Sequence, residues 1–264
     1  MRAGCFLGPD SVPATPSKVS AGGNRYYVSL VNKVKPMNKI LYVFLFMALV
    51  AFVSCTTDSD DDDDGWDAAK VCPETGTNAY GMPNRGTFTD ERDGQVYKYT
   101  TIGDQVWMAE NLNYDAPYSH CEDVFEDSCR TFGRFYCFFE NGDIDFERRK
   151  IDQSLLKSTC PVGWHIPSED EWNALFLIME KNAVTKLKGE DFWGYYRGKG
   201  ENNCAFGIRP SGKYGYSGVN SLFLFTAFAS STLISDTEQI AIFFESDISS
   251  GTGELKMSVR CVKD

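Results

Sequence analysis

A turn, a helix start and a cysteine are packed into one stretch, Cys160-Pro-Val-Gly-Trp-His-Ile-Pro-Ser-Glu-Asp-Glu-Trp-Asn-Ala-Leu175. Ser168 and Glu171 stand in the S-x-x-E spacing of a capping box, in which the serine side chain takes one orphan helix N–H and the glutamate reaches back to another. Pro167 precedes the cap, and Glu169, Asp170 and Glu171 put negative charge at the positive end of the helix dipole. Trp172, Leu175, Phe176 and Met179 follow at i, i+3, i+4 and i+7, so one helix face is apolar and must be covered. The rest of the chain offers β-like segments and glycine-rich loops as cover. Helix and β-like segments together make an α+β domain the expectation, with one main capped helix, long loops and a sheet whose turn-linked strands further along read as antiparallel or mixed.

The N-terminal third reads differently. Met37-Asn38-Lys39 is a short basic region, and Ile40 to Val53 is an unbroken apolar run. That run is short for a membrane span, which needs ~20 residues, and suits the core of an export signal. It ends in Phe52-Val53-Ser54-Cys55, which resembles a bacterial lipobox, so residues 37–55 are expected to be a lipoprotein signal with lipid on Cys55. Residues 1–36 then read as an extension upstream of the true start at Met37. Asp58 to Asp64 holds six aspartates around one serine, a run that repels itself and stays solvated. Residues 56–85 as a whole read as an acidic, flexible linker. The expected location is the cell envelope, on an outer-membrane surface facing outward. A net charge of −11 argues against nucleic acid as a partner, since phosphate binding wants a basic face.

From Gly86 the pattern tightens. Asp93-Gly94 and Gly103-Asp104 are turn dipeptides flanking Val96 to Ile102, which is rich in β-branched and aromatic residues, and Gln105 to Met108 reads as the next strand. Ser221 to Ser231, Gln239 to Glu245 and Leu255 to Val262 read as late strands. Residues 140–158 are polar, with Leu155-Leu156 as their apolar pair.

Several pieces in order carry a resemblance: Gly86-Thr-Phe-Thr-Asp-Glu-Arg-Asp-Gly94, Ile102-Gly-Asp-Gln-Val-Trp-Met-Ala-Glu-Asn-Leu-Asn-Tyr114, Gly133-Arg-Phe-Tyr136, Cys160-Pro-Val-Gly-Trp-His-Ile-Pro-Ser168 with Glu171-Trp172, and Ser258-Val-Arg-Cys-Val-Lys-Asp264. Over residues 86–264 the chain resembles the Fibrobacter succinogenes major paralogous domain family. The resemblance implies a C-type-lectin-like fold on a secreted or surface lipoprotein. The chain departs from it at Phe228-Ala-Ser-Ser-Thr232, where the family has a tryptophan second, and in carrying Cys137 and Cys204.

Setting aside Cys5 and Cys55 leaves seven cysteines in an exported chain, an odd number. Cys121 and Cys129 are near enough in sequence to bridge easily. The resemblance pairs Cys160 with Cys261, by placing the latter on a terminal strand beside the main helix. Among Cys72, Cys137 and Cys204, one stays single. The histidines, His120 and His165, and the absence of any C-x-x-C pair make a poor zinc set, so no metal and no cofactor is expected. No catalytic group stands out: His165 reads as a packed turn histidine rather than a general base. The remaining candidates are aromatics on late loops, Trp193, Tyr195, Tyr196 and Arg197, with Tyr214 and Tyr216 in a glycine-rich stretch. Such rings stack on sugar faces or anchor protein interfaces. The sequence thus points to a binding or adhesion module for a glycan or surface protein, held to the membrane by an N-terminal lipid. The alternative is a cell-surface enzyme acting on polysaccharide or protein.

Overall fold

The computed structural model describes residues 65–264 apart from 123, 124, 144, 146, 147, 195–197, 216, 217, 254 and 255. The export signal, Cys55 and the aspartate run lie outside the described residues.

Two five-stranded sheets form the frame. The first opens as the expected meander, β1 (Arg85–Thr89), β2 (Val96–Ile102) and β3 (Gln105–Met108), paired antiparallel. Along β2, Tyr97 and Tyr99 alternate inward, and Thr100 to Ile102 are all buried because its end is covered on both faces. The second sheet runs β10-β9-β8-β11-β4, with β4 (Phe135–Tyr136), β8 (Thr226–Leu233), β9 (Gln239–Phe244), β10 (Ile248–Thr252) and β11 (Met257–Ser258). Its pairings are antiparallel except β8 with β11. A separate hairpin joins β6 (Lys213–Gly215) to β7 (Gly218–Asn220).

The last stretch stitches the sheets together. After β11 the chain crosses into the first sheet as β12 (Val262–Lys263), which lies between β3 and β5 (Trp164–His165). Val259, Arg260 and Cys261 are buried in the crossing, and two of their carbonyls bind the end of β3 and the loop after it: Met108 N–H donates to Cys261 O at 2.9 Å and Leu112 N–H to Val259 O at 2.8 Å.

Among the described residues five short or medium α-helices flank the sheets: α1 (Ala68–Val71), α2 (Ser128–Phe132), α3 (Gln153–Ser158), α4 (Glu169–Met179) and α5 (Ala183–Leu187). The longest is α4, and it begins with the expected capping box. Ser168 Oγ accepts the Glu171 N–H at 3.2 Å, and Glu171 Oε2 accepts the Ser168 N–H at 2.8 Å. A bulge in β8 helps. It breaks the β8–β9 register between Ala229 and Leu233, which frees Ser231 and Thr232 to bind the helix start. Ser231 N–H donates to Pro167 O at 2.8 Å, and Thr232 Oγ1 accepts the Glu169 N–H at 2.9 Å. The apolar face buries Trp172, Leu175 and Met179. Trp172 meets Trp107, Phe206, Phe228 and Phe244 at centroid distances of 4.7, 6.4, 5.4 and 6.0 Å.

The architecture is thus α+β with mostly antiparallel sheet. Several local readings are revised or filled in; the strand read over Leu255 to Val262 is two short strands in different sheets, β11 and β12, split by the crossing. Residues 66–85, read as linker, are built into the domain: Trp66 Nε1 donates to Ile178 O at 3.1 Å, and Cys72 is buried. Their Asn, Gly and Pro make turns rather than free chain; the Asn78 side chain accepts from the Tyr80 and Met82 N–H groups at 3.0 and 3.1 Å. The strand expected from Ser221 starts only at Thr226, because Ser221 and Phe223 take left-handed backbone at φ 58° and 67°. The polar stretch 140–158 holds α3, capped by Asp152, whose carboxylate accepts the Ser154 N–H at 2.8 Å.

Disulfides join Cys121 to Cys129 and Cys160 to Cys261, and a third joins Cys72 to Cys204. Among the described residues Cys137 is the one free thiol, buried, and burial pushes its pKa up.

Candidate functional site

The crossing between β11 and β12 carries an arginine where its buried neighbours are apolar. Arg260 is 1% exposed. Its guanidinium lies over the Phe206 and Phe228 rings at 4.6 and 5.4 Å. Nε and Nη2 donate to Asn111 Oδ1 at 3.2 and 2.6 Å, and Nη1 donates to the Phe206 carbonyl. All these acceptors are neutral. Burial lowers the Arg260 pKa to about 9, with Glu110 opposing and the like charge of Arg209 adding to the shift, so the group stays cationic at neutral pH. Asn111 in turn donates to Phe132 O at 2.8 Å, tying the end of α2 to the same point. Gly133 follows at φ 76°, where an added Cβ would stand 2.6 Å from Asn111 Cβ.

Arg260 lines a cleft of about 400 Å³. The walls come from the loop after β3 (Glu110, Asn111), from α2 (Arg130, Thr131) and from the loops around residues 189–191 and 202–209. Glu110 is already engaged: Oε2 accepts the Lys98 N–H at 2.8 Å, and Oε1 lies 4.0 Å from Lys98 Nζ. Arg209 donates to Thr131 O at 3.1 Å, and Arg130 is exposed on α2. Among the described residues no carboxylate forms an ion pair with Arg130, Arg209 or Arg260.

An aromatic patch adjoins the cleft. The Arg209 guanidinium lies 5.4 Å from the Phe192 ring centroid. Phe192 meets Phe132 at 5.2 Å and Phe223 at 6.4 Å, and Phe125 meets Phe132 at 5.8 Å. Phe192 is 40% exposed and Phe125 38%. Phe192 and Phe223 both sit at left-handed φ, 69° and 67°, a region that bulky residues occupy only under constraint from their surroundings. A second concavity, about 500 Å³, lies between α4, α5 and the β9–β10 turn; its charged lining is Glu180 and Asp247, with no cation.

The structure sets two of the sequence candidates apart from the cleft. Trp193 is half-buried on the core, its indole N–H donating to Ile208 O at 3.0 Å and Lys188 Nζ standing 4.1 Å from its ring centroid. Tyr214 packs among His120, Phe135 and Lys256. Tyr195, Tyr196, Arg197 and Tyr216 lie outside the described residues. His165 is bound at both ring nitrogens, Nε2 to Glu171 Oε1 at 2.8 Å and Nδ1 to Asp264 Oδ1 at 2.6 Å. The Glu171 hydrogen bond outweighs burial and, with Asp264, raises the His165 pKa. A histidine bound at both nitrogens between two carboxylates stiffens the turn and has no free nitrogen to act as a base.

Sequence reasoning passed over Arg130, Arg209, Arg260 and Phe192. A signal was present for Arg260, a lone charge inside Val-Arg-Cys-Val. Nothing marked Arg130, Arg209 or Phe192.

Fold and site together define a disulfide-braced α+β domain with a cation-rich cleft beside exposed aromatics. Residues 100–263 match the family model described as Fibrobacter succinogenes major domain, and the chain belongs to that family. No curated protein and no solved structure matches it.

Proposed function

We propose that this chain is a surface-anchored binding module for a glycan, tethered to the outer membrane by lipid on Cys55 and built on a C-type-lectin-like arrangement. The observation that carries the reading is the juxtaposition of the cleft with Phe192. Guanidinium, amide and carboxylate groups converge in a concavity of suitable size, and an exposed ring stands at its edge. Sugars are bound by this combination, hydroxyls on planar polar groups and an apolar ring face on an aromatic. The acidic run Asp58 to Asp64 supports the anchoring half of the reading as a solvated spacer between lipid and domain.

A glycan array probed with the full chain in mild detergent tests the binding half. The expected result is retention of a defined set of glycans without cleavage, weakened about tenfold by Phe192→Ala, the scale of one lost aromatic contact. Retention untouched by Phe192→Ala and by changes at Arg209 places binding elsewhere; release of cleaved product makes the protein an enzyme. For the anchor, Cys55→Ser should move the protein from membrane to soluble fraction; unchanged partition rules the lipid out.

A further inference from the structure

Counting charge in the cleft narrows the ligand. Its lining holds four cationic side chains, Lys98, Arg130, Arg209 and Arg260, and three acidic ones, Glu110, Glu190 and Asp191. Lys98 and Glu110 offset one another. Three guanidiniums then face two exposed carboxylates, an excess of one positive charge, on a chain whose net charge is −11. Arg260 is the member that cannot be relaxed by water. It is sealed behind the surface and satisfied in hydrogen bonds by Asn111 and Phe206, yet no carboxylate stands on it. Glu110 acts on it from a distance but is shared with Lys98, so the buried charge is incompletely compensated and favours an anion nearby.

Resting on the glycan reading above, we infer that the cleft takes a saccharide carrying one carboxylate, a uronic acid or a sugar acid of similar charge. The carboxylate lies against Arg130 and Arg209, with Arg260 behind them as a fixed positive charge. Arginine forks match carboxylate geometry and hold it through paired N–H donors. Asn111 is committed to Arg260 and Phe132 O, so Asn202, with Glu190 and Asp191, supplies the polar groups for sugar hydroxyls. The excess of one charge suits a single carboxylate. A densely charged polyanion would meet Glu190 and Asp191 at the mouth and the negative field of the whole chain. Burial already depresses the Arg260 pKa, and a bound carboxylate relieves that cost.

The test compares three probes on the full chain: an aldobiouronic disaccharide, its methyl ester and the neutral disaccharide of the same linkage. The free acid should bind about tenfold or more tightly than the ester, the scale of a charge-assisted pair. The preference should shrink with added salt. Arg130→Ala removes an exposed side chain and should erase most of the preference without moving the melt. Arg209→Lys keeps the charge but loses the fork, and should weaken the acid alone. Glu190→Gln with Asp191→Asn, both at exposed positions, should tighten the acid several-fold. Equal affinity for acid and ester overturns the inference and leaves the glycan reading standing. So does binding of neutral glycans without any of the acid. Binding of no sugar at all ends both. An acid preference unchanged by all of these substitutions moves the carboxylate site out of the cleft.

Discussion

Trp172, fully buried on α4, has five aromatic neighbours: Trp107, Phe176, Phe206, Phe228 and Phe244. Its indole N–H has no acceptor among the described residues, so desolvation offsets part of that packing gain. Replacing it by alanine removes the rings' common partner and should cost about 3–5 kcal/mol in denaturant melts. Phe192→Ala, by contrast, should cost only about 1 kcal/mol, because the ring is partly exposed and its contacts lie at the edge of the core. A comparable loss at both positions would mean that Phe192 is core. The sequence made Trp172 readable because helical spacing alone assigns it a face. It could not separate Phe192 from Trp193. Neighbouring aromatics in a loop have no period, and which one turns inward is set by the left-handed backbone at Phe192 and the carbonyl of Ile208, both consequences of the fold.

At the scale of elements, α4 was legible to the residue because its cap is local: donor and acceptor lie three positions apart. The same locality made β2 and β3 readable through their turn glycines. β10, the β6–β7 hairpin and α2 were not: the two strand pairings are local, but all three segments are short and carry no apolar alternation or period. Ser168→Ala should lower stability by about 1 kcal/mol in thermal melts, since it leaves the Glu171 N–H without its cap; an unchanged melt would mean the Thr232 contact alone holds the helix start. Glu171 does a second task there. Burial would raise its pKa, but hydrogen bonds from His165 and from the Ser168 N–H and hydroxyl prevail and hold it at about 2. The depressed carboxyl contributes stability that is full above its ordinary value of 4.5 and is lost as pH falls toward 2. His165 is raised, so its contribution is full below its ordinary 6.5 and is lost as pH climbs through the folded value. Both contributions are complete only between pH 4.5 and 6.5. Glu171→Gln should therefore lose most against the parent within that window, measured as the difference in Tm across a pH series. A deficit that keeps growing above pH 8 would contradict the assignment.

Over the whole molecule, the bridges connect what the strand order leaves far apart. Cys72–Cys204 closes 132 residues and fastens the N-terminal stretch, taken from composition as linker, onto the core beneath α4. Cys160–Cys261 closes 101 residues and pins the turn before α4 to the segment that crosses between the sheets. Cys121–Cys129 spans only 8 and ties the first turn of α2 to the loop before it. Sequence spacing alone made only the short bridge readable, because proximity in the chain says nothing about two cysteines a hundred residues apart; the family resemblance supplied the second, and the third needed the fold. Their contributions should rank by loop length if restriction of the unfolded chain dominates: about 4.7 kcal/mol for the 101-residue loop against about 2.5 kcal/mol for the 8-residue one. Replacing Cys160 and Cys261 together by alanine should therefore cost nearly twice what the Cys121 and Cys129 pair costs in urea melts. It should also loosen the crossing segment that carries Arg260, so ligand affinity falls with stability. The Cys121 and Cys129 double variant should do the reverse in proportion. It leaves most of the stability in place but frees the start of α2, and with it Arg130 and the Thr131 carbonyl that holds Arg209. If the short-bridge variant proves the less stable of the two, strain or native contacts rather than chain entropy govern these links, and α2 belongs to the folding core rather than to the wall of the cleft.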